Sequence, residues 1–359
     1  MSNWQSVEPI LAVRRIRGSV GRLPTGFAKW NEARGGSSSK SNPPFPLIAK
    51  PSAGGMGGMS VLFYPQDASF NRVNALYLAH ASDVAYERAP AVAARGRLGL
   101  GVVAFRDKVT RTRGFLGVCE THAVLAFRGS DPVTLPNWVT DAVVRLVECD
   151  EYDGRVHRGF SSALRRTWRK IEPILDQAQD KPLFLTGHSM GGALAVLTAC
   201  RLAKLGRPPV ATYTFGSPRV GDRAFCAGYA LPTYRVVNGL DLVPEMPLAS
   251  MKRLLPAKPR FTNEKILGHL KKMARNVPCY GHVKTLVYID PDGRIIVDAR
   301  VQPWHAEAVA RAMAARGKIF LQGITDHLIS NYIRGLQGGL KAKSTLSESP
   351  APARRRKRV

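Results

Sequence analysis

The chain has 359 residues, 45% of them hydrophobic and 22% charged, which suits a globular protein with a full core, and no stretch approaches the roughly 20 apolar residues of a membrane span. Its formal charge of +27 implies attraction to an anionic surface, without distinguishing phospholipid headgroups from nucleic acid. Cys119, Cys149, Cys200, Cys226 and Cys279 are odd in number and lack metal-type spacing, so they read as reduced thiols rather than a disulfide framework or a zinc site.

Residues 1–60 are basic, and they include Arg34-Gly35-Gly36-Ser37-Ser38-Ser39-Lys40 and Ala53-Gly54-Gly55-Met56-Gly57-Gly58. These are linker compositions, so a loosely attached arm is expected there. Met1 to Val20 carries Arg14, Arg15 and Arg17 and no apolar h-region. A cytoplasmic protein is therefore expected, although export that reads no cleaved signal is compatible with the same residues.

A globular domain is expected over residues 61–338. Leu76, Leu78, Ala79, Val84 and Ala85 predict a helix over 75–86. Strands are predicted over 102–105, 115–118 and 123–127, the last running into Arg128-Gly129-Ser130-Asp131. A Gly-Ser turn at a strand end can carry a donor for a developing negative charge. A strand over 143–147 follows, then Val156-His157-Arg158-Gly159-Phe160 and a helix to about Gln177.

Leu183 to Leu197 organises the chain. An apolar run enters Gly187-His188-Ser189-Met190-Gly191 and leaves as an Ala/Leu-rich helix, the strand, turn and helix of a nucleophile elbow. A serine hydroxyl is a weak nucleophile and must be pushed clear of the backbone, which strains the turn. Residues two positions either side must then be small, as Gly187 and Gly191 are. The helix aims free N–H groups at the reacting centre, and the Met190 N–H is placed to serve an oxyanion.

Pro208 and Pro209 stop that helix near Gly206; strands over 210–215 and 233–237 flank a short helix over 224–229. Strands alternating with helices predict an α/β fold, a mostly parallel central sheet with helices on both faces. Its sites lie beyond the carboxyl ends of the strands. Residues 245–278 are rich in Pro, Lys and Arg and read as an insertion at those ends. The sheet resumes at 283–289, turns at Asp290-Pro291-Asp292-Gly293 and returns over 294–297. A helix over 303–315 precedes Thr325-Asp326-His327-Leu328, which opens a last helix to about Leu336. Residues 339–359 read as a basic disordered tail ending Arg354-Arg355-Arg356-Lys357-Arg358.

Ser189 needs a base and an acid further along the chain. His327, after a loop at the start of a late helix, is the best-placed base; His282 begins a strand and reads as structural. His269 and His305 read as surface residues, and His188 adjoins the nucleophile in a turn whose consecutive side chains diverge. Asp241, at a strand end, is the best-placed acid, to fix the imidazole tautomer. Asp222 competes for that role but reads better as the first residue of a helix.

Residues 118–336 resemble the class 3, fungal-type lipase family of α/β-hydrolases. The likeness rests on Ala126-Phe127-Arg128-Gly129-Ser130, Asn137-Trp138 with Asp141, His157-Arg158-Gly159-Phe160, the elbow, Phe215-Gly216-Ser217-Pro218-Arg219-Val220-Gly221-Asp222, and Val237-Asn238-Gly239-Leu240-Asp241-Leu242-Val243-Pro244. It implies a triad of Ser189, Asp241 and His327, an oxyanion hole from Ser130 and Met190, and a lid over 131–137. The basic arms and the 245–278 segment depart from the secreted members. The activity implied is hydrolysis of lipid esters through an acyl-enzyme, needing no metal or organic cofactor. Phospholipase A1 and general carboxylesterase are alternatives on the same scaffold, and a feruloyl-type esterase is a weaker one. The expected partners are the ester substrate and, peripherally, an anionic membrane. A vestigial hydrolase that only binds membrane or nucleic acid is the reading from another class. An intact Ser, Asp and His set and the lack of interleaved aromatics in the tail oppose it, so no nucleic acid is expected.

Overall fold

The computed structural model describes residues 62–130, 145–247, 280–297, 301–315 and 318–346. The N-terminal arm, the 131–137 lid, Asn137-Trp138 with Asp141, nearly all of the 245–278 segment and the last thirteen residues of the tail lie outside the described residues.

The first two helices are α1 (Arg72–Val84) and α2 (Pro90–Leu98). α1 starts three residues earlier than its apolar pattern predicts, because the Asn71 side chain caps it, accepting from the N–H groups of Val73 and Asn74. α2 was not predicted. It buries only Ala94 and Leu98, so it has no apolar stripe to read; its punctuation is Pro90 in the first turn and Gly99 in the left-handed region beyond its end.

Strands β1 (Gly101–Arg106), β2 (Arg113–Val118) and β3 (Ala123–Phe127) form an antiparallel meander. Two short strands follow, β4 (Leu146–Glu148) and β5 (Arg155–His157), then α3 (Arg158–Leu175). The central pair is β6 (Leu183–His188) and α4 (Met190–Lys204). Beyond it lie β7 (Ala211–Phe215), β8 (Gly221–Asp222), α5 (Arg223–Gly228) and β9 (Thr233–Asn238). β10 (Tyr280–Gly281), β11 (Thr285–Ile289) and β12 (Ile295–Ile296) complete the strands. Helices α6 (Val301–Ala315), α7 (Lys318–Asp326) and α8 (Ile329–Leu346) close the described chain.

The main sheet has eight strands in the order β1-β2-β3-β6-β7-β9-β11-β12. From β3 through β11 every pairing is parallel, as the alternation of strands and helices requires. Alternate residues of each strand feed opposite faces. On β3, Leu125 and Phe127 join α3 and α4 in one core, whereas Val124 and Ala126 join α1, α2 and α8 in the other. This is the α/β-hydrolase arrangement. A second, antiparallel sheet of order β10-β8-β5-β4 is made of strands two or three residues long, too short to carry a readable period. Cys119, Cys149, Cys200 and Cys226 are free thiols, as expected; Cys279 lies outside the described residues.

Candidate active site

Ser189 stands between β6 and α4 with φ 56° and ψ −130°, a region that costs a non-glycine residue strain and that the surrounding backbone must enforce. Its N–H donates to the Phe215 carbonyl at 2.9 Å, and its carbonyl accepts from Gly192 N–H at 2.9 Å. A Cβ on Gly187 would fall 2.3 Å from the Gly191 carbonyl carbon, so the expected steric reason for the flanking glycines holds. Strand and helix here pack backbone on backbone.

The end of β3 is pressed against the elbow in the same way. A Cβ on Gly129 would lie 2.6 Å from the His188 carbonyl oxygen and 3.0 Å from Ser189 Cβ. This close approach sets Ser130 beside Met190, the Ser130 hydroxyl donating weakly to Met190 Sδ at 3.7 Å. The two residues expected to flank an oxyanion thus come from different elements and meet at Ser189.

His327 sits at the break between α7 and α8. The expected loop and single late helix are corrected: Thr325 and Asp326 end one helix, and a second begins at Ile329. Three contacts hold the break. The Asp326 carboxylate accepts from Leu240 N–H at 2.7 Å, Asn238 Nδ2 donates to the Asp326 carbonyl at 3.1 Å, and His188 Nε2 donates to the His327 carbonyl at 2.6 Å. The strand end that carries Asp241 and the corner that carries His327 are therefore tied directly together.

His327 Nδ1 donates to Asp241 Oδ2 at 2.8 Å, with Oδ1 at 3.0 Å. Asp241 is fully buried and also accepts from the Val243 N–H at 2.9 Å and from the Tyr332 hydroxyl. Burial alone would raise its pKa, but the His327 charge and these hydrogen bonds outweigh it and hold the carboxyl below its usual range. His327 Nε2 is buried and has no hydrogen-bond partner among the described residues. A carboxylate thus fixes one ring nitrogen and leaves the other free to act as a base.

His188 is structural, as expected, and it has a definite task. Its Nδ1 accepts from the Tyr86 hydroxyl at 2.8 Å, its Nε2 is committed to the His327 carbonyl, and its ring lies 4.5 Å from that of His327. Burial, then the neighbouring His327, push its pKa down to about 3, so it is a neutral ring.

Asp222 caps α5, accepting from Phe225 N–H at 2.9 Å, and so takes the helix-start role given to it by sequence. His282 hydrogen-bonds Arg235 at 3.0 Å in a packed setting, also as expected. The surface reading of His305 is corrected: it is 1% exposed, and its Nδ1 bonds Glu245 Oε1 at 3.1 Å. Its buried partner, some sixty residues away in sequence, left no local signal. His269 lies outside the described residues.

Sequence reasoning missed Tyr332 as a donor to Asp241 and Gly216 as the floor of the acid and base pair. Gly216 has φ +59°, and a Cβ there would fall 2.6 Å from Asp241 Oδ2 and 2.8 Å from His327 Nδ1. The glycine was visible within Phe215-Gly216-Ser217; nothing local connected it to residues so distant in the chain. Among the described residues no three His, Cys, Asp or Glu side chains are grouped to hold a metal ion.

Residues 124–251 match the family model described as Lipase (class 3). The chain is 35% identical to a lipase of Rhizomucor miehei, over 37% of this chain and 40% of the relative. It is 30% identical to "Phospholipase A1 EG1, chloroplastic/mitochondrial" of Oryza sativa subsp. indica, over 60% of this chain and 52% of the relative. It thus spans about half the length of the curated relatives it matches. Among solved structures, a mono- and diacylglycerol lipase from Aspergillus oryzae aligns with 64% of this chain and 86% of its own, at 22% identity and a TM-score of 0.49.

Proposed function

We propose that this chain, which over residues 124–251 belongs with the class 3 lipases, is a serine carboxylic ester hydrolase acting on lipid esters, with Ser189 as nucleophile, His327 as base and Asp241 as its orienting acid. The observation that carries the reading is the buried Asp241 and His327 pair, with His327 Nε2 left unpartnered among the described residues and its carbonyl held by the residue before Ser189.

In this mechanism His327 Nε2 accepts the Ser189 proton as Oγ attacks the ester carbonyl. Asp241 stays ionised, its depressed pKa keeping it from taking the Nδ1 proton, and it stabilises the imidazolium. N–H groups of Ser130 and Met190 receive the oxyanion. The alcohol leaves with the proton from His327, and water then repeats the sequence on the acyl-enzyme.

The test is hydrolysis by the purified protein of p-nitrophenyl esters of graded chain length, beside neutral and anionic phospholipid vesicles. Ser189→Ala should lose nearly all turnover. Retention of more than about a hundredth of the parent rate would overturn the assignment. A second reading, phospholipase A1, is favoured by the rice relative, whose match extends over 60% of this chain. Release of fatty acid from the vesicles in preference to long-chain soluble esters would select it.

A further inference from the structure

The sheet register places a cationic corner on the same edge as the nucleophile. Arg106 of β1 pairs with Arg113 of β2, Arg113 accepts the N–H of Arg128 at the end of β3, and Phe127 pairs with Gly187. One row across the sheet therefore runs from Arg106 through Arg113 and Arg128 to His188, immediately before Ser189. β1 stands three strand spacings from β6, or about 14 Å. The turn joining β1 to β2 projects from this edge and carries exposed Lys108 and Arg111 around Val109, which is 70% exposed.

α3 continues the corner. Its outward face presents Arg165, Arg169 and Lys170, with Glu172 as an exposed acid on that helix. It is joined to the β1 turn by two contacts: Lys170 Nζ donates to the Arg106 carbonyl, and Arg166 Nε lies 3.8 Å from Asp107. Asp107 is itself buried and its carboxylate accepts from the Thr110 N–H and hydroxyl, so it leaves the corner positive.

We propose that this corner, the β1–β2 turn with Val109 at its tip and the arginine face of α3, docks the protein on an anionic phospholipid surface with the strand-end edge of the sheet facing the lipid. Charge complementarity identifies the partner's sign, and two features select a bilayer over nucleic acid. Val109 is an apolar tip ringed by cations, as an interfacial anchor requires, and among the described residues no exposed aromatic stands beside those cations to stack on bases. The row shared with Ser189 makes the docked orientation a productive one. This inference rests on the lipid-ester reading above.

The test separates the two. Binding to phosphatidylcholine vesicles, with and without phosphatidylglycerol, is measured by co-sedimentation in the Ser189→Ala background, where catalysis plays no part. Each cation near an anionic surface contributes several-fold, so combining Lys108→Glu, Arg111→Glu, Arg165→Glu and Arg169→Glu should weaken binding to the anionic vesicles by at least about thirtyfold. Reversing Lys181 and Lys204, at the far ends of β6 and α4 from Ser189, should change it by no more than about threefold. In the Ser189-intact protein, turnover of a soluble butyrate ester reports that each variant is folded. Binding that survives the fourfold reversal, or that falls equally with the distal pair, overturns the docking surface while leaving the hydrolase standing. Preferential binding of the parent to duplex DNA over anionic vesicles, lost on the fourfold reversal, would overturn the lipid assignment.

Discussion

At the residue scale the site depends on one side chain that is not there. Gly216 lies under the Asp241 and His327 pair with positive φ, and a methyl group would enter within 2.8 Å of both partners. Real Cβ atoms do not tolerate such distances, and a left-handed backbone adds strain to the substitution. Asp241 cannot retreat, because Tyr332 and the Val243 N–H hold it on its other sides. Gly216→Ala should therefore separate the imidazole from the carboxylate. On the proposed mechanism, turnover of a soluble ester should fall by about 10²–10⁴, the range expected when a triad base loses its orienting acid, with KM changed less than about threefold. The readout specific to this cause is the downfield proton resonance of the Nδ1–H hydrogen bond, which should disappear. A variant that keeps the resonance and the rate would show that the pair can slide aside.

At the scale of elements, the segment carrying Asp241 is fastened by a buried ionic cluster. After Asp241 the chain makes a short 3-10 turn, Val243–Glu245, and Glu245 is 2% exposed. Its carboxylate pairs with Arg219, from the loop after β7, and with Gln302 and His305 of α6 at 2.8 and 3.1 Å. Arg219 in turn donates to the Pro247 carbonyl at 2.9 Å, and Arg235 of β9 joins through Gln302 at 2.8 Å. Removing one member of a buried pair leaves the other charged and desolvated, a loss of about 3–5 kcal/mol. Glu245→Gln should lower the urea midpoint accordingly, and Arg219→Met with Glu245→Leu should recover part of it; equal losses in the single and double variants would deny the coupling. The parallel sheet and the elbow were legible in the sequence because strand, turn and helix follow one another locally between Leu183 and Leu197. Ser189, Asp241 and His327 could be picked out as candidates because each stands at an element end. This cluster was not legible, since His305 lies on a helix whose pattern reads as amphipathic and its partner is remote. The break at His327 was hidden for a related reason. It is stabilised by Asn238 and Leu240 rather than by any glycine or proline beside it.

Across the whole molecule, several buried or half-buried histidines have a ring nitrogen engaged by the fold. His157 Nδ1 caps α3, accepting from Gly159 N–H at 3.0 Å and Phe160 N–H at 3.3 Å, and His188 Nδ1 accepts from Tyr86. His122 is packed against Phe63 and contacts the Tyr77 hydroxyl at 3.2 Å. Burial pushes the pKa of His122 and His157 down to about 4 and that of His188 to about 3, whereas an unfolded histidine titrates near about 6.5. Between those values the unfolded chain binds protons that the folded chain refuses, so stability falls as pH drops through this window. Each such histidine adds a slope of up to about 1.4 kcal/mol per pH unit. Below it the carboxylates act in the same sense. Asp241 and Glu245 are depressed in the folded state, and the stability they contribute is lost as pH falls below the unfolded carboxylate range of about 4. A chain with a formal charge of +27 at neutral pH also gains self-repulsion with every proton it takes up. Urea unfolding at pH 7.5, 6.0 and 5.0, at fixed ionic strength, should give a midpoint that declines steadily, with the decline already marked above pH 5, where the histidines titrate and the carboxylates do not. A midpoint level down to pH 5 would mean that these rings accept protons in the folded state. The hydrogen bonds from Tyr86 to His188 and from the first turn of α3 to His157 would then lose their acceptors.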